Sequence, residues 1–140
     1  MGQQQLLLII LGVIVVGIAV AVGITMFSDS ATNANRDALT NDLVNLASRA
    51  QQYYRRPTSL GGGGNSFAAL TANAAGIALL TNKPVNGNGS YYIKTAGAGT
   101  GTAAVVEIEG LGNETGRDNA TPVLVHVKVF RSTDSCWVVN

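Results

Sequence analysis

The 140-residue sequence has little of what chemistry usually requires. It holds one cysteine, Cys136, and one histidine, His126. A lone thiol forms no intrachain disulfide, and one thiol cannot build a cysteine-based zinc site. Cys136 reads as a small buried or half-buried residue, with an intersubunit disulfide as the alternative outside the cytoplasm. No G-x-S-x-G, H-E-x-x-H or Walker A pattern occurs, so the common hydrolase, metalloprotease and nucleotide-binding signatures are missing. Charge is also scarce. Charged residues make up 12% of the chain, and nine Lys and Arg against eight Asp and Glu leave a formal charge of +1. That balance gives no footprint for nucleic acid and no basic patch for anionic lipid. No enzyme, cofactor or metal is expected from this inventory.

What is present is concentrated at the N-terminus. The stretch "LLLIILGVIVVGIAVAVGITMF", residues 6–27, contains no charged side chain. As a helix its 22 residues span about 33 Å, close to the hydrocarbon thickness of a bilayer. A buried soluble helix fits poorly, because nearly every face is apolar. A cleaved secretory signal needs a basic n-region, and the first basic residue is Arg36. The segment is therefore expected to span a membrane. Gly12, Gly17 and Gly23 interrupt it, as small residues commonly do in membrane helices.

Neither proline nor glycine falls between positions 29 and 56. Leu39, Leu43, Leu46, Ala50 and Tyr53 recur at spacings of three and four, an apolar stripe on one helical face. One helix from about 3 to 54 is the economical expectation. Its weakest part is "SDSATNAN", where Ser, Asp and Asn compete for backbone hydrogen bonds. Local loosening there, or a second helix capped by Asp29 or Ser30, are the alternatives. Pro57 ends the helix. Four glycines at 61–64 predict a loop or flexible crossing. "FAALTANAAGIALL" offers one short helical turn, with Phe67, Leu70, Ile77 and Leu80 as docking residues.

The remainder alternates as strands do. "SYYIKT" (90–95), "TAAVVEIEG" (102–110), "PVLVHVKVF" (122–130) and "CWVV" (136–139) are the four candidates, with "AGAGTG" and "GLGNETGRDN" as turns. Val123, Val125, Val127 and Val129 share one face, and His126 and Lys128 the other. The expected fold is α+β: an apolar helical stem packed at its far end, through the Leu39–Tyr53 stripe, on an antiparallel sheet of about four strands. The expected divisions are 1–2, 3–28 for the apolar helix, 29–56 for its amphipathic continuation, 57–89 for the connecting loop, and 90–140 for the sheet.

Candidate sites are few. His126 has no acidic neighbour in sequence and reads as a solvated or helix-facing strand residue. Glu107 and Glu109, two apart on one strand face, read as solvated carboxylates, although paired carboxylates can divide acid and base work. Glu114, Asp118 and Asn119 are a weak candidate for calcium. Tyr53 and Tyr54 could stack on bases but lack a basic surround. Asn88, Asn113 and Asn119 begin N-x-S/T triplets in expected turns.

The N-terminus "MG" followed by "QQQLLLIILGVIVVGIAVAV" resembles the prepilin end of the type IV pilin family. That resemblance implies cleavage between Gly2 and Gln3 by a prepilin peptidase, a mature chain starting at Gln3 with a methylated amine, and a pilin-like fold in which the long helix packs into the core of an extracellular filament. It also implies residence in the inner membrane before assembly, pilus assembly machinery as a partner, and roles in adhesion or motility. Where the family usually carries a glutamate inside the apolar run, this chain has Leu7, and its usual leading phenylalanine is Gln3 here. The expected function is a structural subunit polymerising with copies of itself. A minor pilin or secretion pseudopilin, or a single-pass anchored binding domain, are the alternatives.

Overall fold

The structure, a computed structural model, describes residues 2–98 and 103–140. Met1 of the expected leader, the second half of the expected "AGAGTG" turn and the first residue of the expected second strand lie outside them, while the first half of that turn, 96–98, is strand. A single helix, α1 (Gly2–Arg55), runs without interruption through the apolar stem and the amphipathic half. The expected alternatives at "SDSATNAN" are overturned. No break or second cap occurs there, and the buried Thr32 hydroxyl donates to the Thr115 carbonyl at 2.9 Å, which ties this segment to the sheet.

The helix stops at Pro57, and the glycine run then does something more definite than a flexible crossing. The N–H groups of Gly63, Asn65 and Gly64 donate to the carbonyls of Tyr53, Tyr54 and Arg56 at 2.8, 2.8 and 3.0 Å. These are acceptors that a helix C-terminus leaves without intrahelical partners. A β-carbon on Gly63 would lie 2.0 Å from the Ser66 carbonyl oxygen, and Gly64 has φ +55°. Only glycine lets the chain turn this tightly over the helix end. The connection continues through a 3₁₀ turn, Thr58–Leu60, and the short helix α2 (Ala74–Ala78), where Asn73 caps by accepting from Gly76 N–H at 3.0 Å. Phe67, Leu70, Ile77 and Leu80 are all buried, as the docking expectation requires.

Four strands follow: β1 (Gly89–Ala98), β2 (Val105–Thr115), β3 (Pro122–Phe130) and β4 (Asp134–Val138). They form one antiparallel sheet in the order β1-β2-β3-β4. Each strand pairs with its sequence neighbour, the simplest way to join short strands. β2 is longer than expected. Residues 111–115 of the expected turn extend it, and the turn is confined to 116–121.

The sheet lays one face on α1, mainly through β2 and β3. Val123, Val125, Val127, Val129 and Ile108 are completely buried there, as are Leu39, Leu43 and Ala50 from the helix. Period-two burial from the strands thus meets period-3.6 burial from the helix in one core. This is a pilin-like architecture: a long N-terminal helix whose far half packs on a small antiparallel sheet.

Candidate functional site: the uncovered stem

The most distinctive surface of the molecule is the stem. From Gly2 to Ser30 every residue of α1 is exposed, and Phe27 reaches 78% exposure. The stem is long and apolar enough to cross a membrane once. Gly12, Gly17 and Gly23 have open space around them, and none of the described residues packs on the stem. Gly2 and Gln3 lie in the first turn of α1, exposed. The apolar surface ends just where the sheet begins, with Phe27 one turn before the Thr32 to Thr115 bond.

The outer face of the sheet, away from α1, holds a polar cluster that the sequence did not announce. Cross-strand register sets Glu109 opposite His126 and Glu107 opposite Lys128, while Trp137 pairs with His126 from β4. Glu109 and His126 are 6% and 4% exposed, so the expectation of solvated carboxylates and a solvated or helix-facing histidine is corrected. His126 Nδ1 lies 3.2 Å from Glu107 Oε1, and Nε2 lies 2.6 Å from Glu109 Oε2. Lys94 Nζ reaches Glu109 Oε2 at 3.1 Å, and the Tyr92 hydroxyl donates to Glu109 Oε1. A register shift between Ile93 and Thr95 sets two residues of β1 against Glu107, and this brings both Lys94 and Thr95 to the cluster. Trp137 packs edge-on against His126 with ring centroids 5.5 Å apart, and Lys128 Nζ sits 5.7 Å over the indole. The His126 nitrogens face two different carboxylates, so the three groups do not converge on one point. Among the described residues no group of three His, Cys, Asp or Glu side chains could hold a metal ion.

A second polar knot joins the helix to the loop. Asp42 Oδ2 accepts from Tyr91 at 2.5 Å and from Asn86 and Asn88 at 2.9 Å each. Burial pushes the Asp42 carboxyl up, but these three hydrogen bonds together outweigh it and hold the group below its usual value. Burial, and then the Asp42 bond, push the Tyr91 phenol well above its usual range. Asp42, Asn45, Arg49, Thr81 and Lys83 line an open cleft of about 300 Å³ beside this knot.

Asp118 accepts from the Thr121 hydroxyl at 2.5 Å and from the Thr121 and Ala120 N–H groups at 3.1 Å, which holds its carboxyl down to about 2. Its oxygens are occupied in closing the β2–β3 turn, while Glu114 lies in β2 and Asn119 in the turn at φ +53°. Tyr54 stacks at a tilt on Phe67, and Tyr53 is buried with it in the core. Asn88 spends its amide on Asp42, and Asn113 lies in β2 rather than in a turn, donating to the Gly87 carbonyl at 2.9 Å. Cys136 is half-buried against the core, and burial followed by the Asp134 charge pushes its thiol up.

Fold and surface together define a pilin-like architecture with an apolar stem that none of the described residues covers. Compared with protein-family models, curated proteins and solved structures, the chain matches none.

Proposed function

We propose that this chain is the structural subunit of a type IV pilus-like helical filament. The stem anchors each copy in the membrane, a prepilin peptidase cuts between Gly2 and Gln3, and assembly machinery then packs the stems of many copies into a filament core. The observation that carries this reading is the stem itself, apolar on all sides and covered by none of the described residues. Removing apolar surface from water contributes about 25 cal/mol per Å², which keeps the stem out of water, and close packing of small and branched side chains then favours helix against helix over helix against lipid. Residues 6–27 offer no ionisable group, so no salt bridge can form among them.

The test follows from that chemistry. Fibres should pellet unchanged across a salt series, because ions screen charge and hardly affect apolar burial. A detergent that solvates the stem should dissolve them. Ile14→Glu should abolish fibres, since each copy would bury a carboxylate without a partner. Assembled subunits should lack Met1 and Gly2 by intact mass. Normal fibres from Ile14→Glu would remove the stem from the core. A membrane-bound chain that keeps Met1 and never pellets would be a single-pass anchored domain instead.

A further inference from the structure

The outer-face cluster has a feature that a purely structural tie does not need. A neutral imidazole has one N–H donor and one bare nitrogen, and an ionised carboxylate only accepts. At His126 both ring nitrogens face carboxylate oxygens, Glu107 at 3.2 Å and Glu109 at 2.6 Å. Both contacts are therefore hydrogen bonds only while the ring carries two protons. Loss of one proton breaks one of the two carboxylate bonds and leaves the bared nitrogen between that carboxylate and the Lys94 ammonium, in a place where the side chains of His126 and Glu109 are 5% and 8% exposed. A buried polar pair with one bond missing is costly.

The groups facing the ring come from all four strands. β1 contributes Lys94, with Nζ 3.4 and 3.3 Å from the two ring nitrogens, and Tyr92 through Glu109. β2 contributes Glu107 and Glu109, β3 itself carries Lys128, and β4 contributes the indole of Trp137. α1 packs on the opposite face and sends no charge to the ring.

We infer that His126 is a proton-operated latch on the outer sheet face, which when protonated clasps Glu107 and Glu109 and seats Trp137, and when deprotonated releases one carboxylate and loosens the indole. The inference does not depend on filament assembly. It concerns a surface that the stem does not touch.

The chain carries its own two reporters, since His126 is its one histidine and Trp137 its one tryptophan. A protonated imidazole in contact with an indole quenches its emission, and a neutral one does so far less. The full-length chain in neutral detergent micelles is titrated through the imidazole range and on to about pH 9. Trp137 emission and the single imidazole proton resonance should change together in one step, with emission rising as pH rises. Glu107→Gln removes one of the two charged acceptors and should move the midpoint to lower pH. Lys94→Met removes the neighbouring cation and should move it to higher pH. Emission that stays flat while the imidazole resonance titrates would overturn the latch. So would a midpoint that both substitutions leave in place.

Discussion

The two halves of α1 share one unbroken hydrogen-bond ladder and live in opposite conditions. From Gly2 to Ser30 every residue is exposed, whereas from Leu39 onward each turn buries something in the core. In water most helical stability in proteins comes from packing an amphipathic face, and short or glycine-bearing helices are marginal alone. The far half meets that condition within its own chain. The stem does not, and its glycines at 12, 17 and 23 lower its helix propensity further. Its helix therefore depends on an apolar surround from outside the domain, while the domain half carries its own.

Leucine truncation breaks or upholds that contrast most strongly. Leu43 is completely buried, and Leu7 is 67% exposed. Leu43→Ala should cost about 2–5 kcal/mol of domain stability, by lost burial and a residual cavity. Leu7→Ala should leave it unchanged. Thermal unfolding of both full-length variants in the same micelles, followed by near-UV dichroism of the aromatic residues, decides the matter. A Leu43→Ala domain as stable as the parent would mean that the stripe is not packed on the sheet.

Glycine gives a milder version of the same comparison. A β-carbon on Gly97 would lie 1.8 Å from the Phe67 carbonyl oxygen, a backbone atom, and the Gly97 N–H donates to the Leu70 carbonyl at 2.7 Å. Gly97→Ala should force the end of β1 away from the loop and cost about 1–3 kcal/mol. At Gly17 nothing lies within 4 Å. Gly17→Ala should leave the domain melt untouched, and any loss there would reveal contact between stem and domain.

The contrast between the halves was legible in sequence because both periodicities are long. A 22-residue run without charge and a stripe at spacings of three and four leave few other structures, and β3 alternates over its whole length. Three things stayed hidden. The glycine run looked loose because composition carries no information about which carbonyls it caps. β2 ran on through "LGNET", since pairing with β1 and β3 overrode the turn propensity of Gly112 and Asn113. The cluster around His126 was invisible because Glu109, Trp137 and Lys94 become its neighbours only through cross-strand register and a bulge. An alternating strand shows which residues share a face, not what the facing strand supplies.

Acid provides the smallest test of the comparison, because the domain half has titratable ties and residues 6–27 have none. Asp42 lies in the domain half of α1 and binds the loop through Tyr91, Asn86 and Asn88. Its folded-state carboxyl is held below the ordinary value of 3.8. A depressed carboxyl contributes stability that is fully present above the ordinary value and is lost as pH falls through the lowered one. Asp42→Asn removes the charged acceptor and should cost about 1 kcal/mol at neutral pH. The gap between the two melts should hold down to about pH 4 and close below it. Asp118, held down near 2 in its exposed turn, titrates in the same acid range, so the Asp118→Asn background separates the two. The proposed filament supplies the other half of the measurement. With the domain loosened by acid and the stem without a proton to gain, fibres should still pellet at the pH where the melts converge. Fibres that fall apart in step with Asp42 would instead tie assembly to the domain, and the two halves of α1 would no longer be independent.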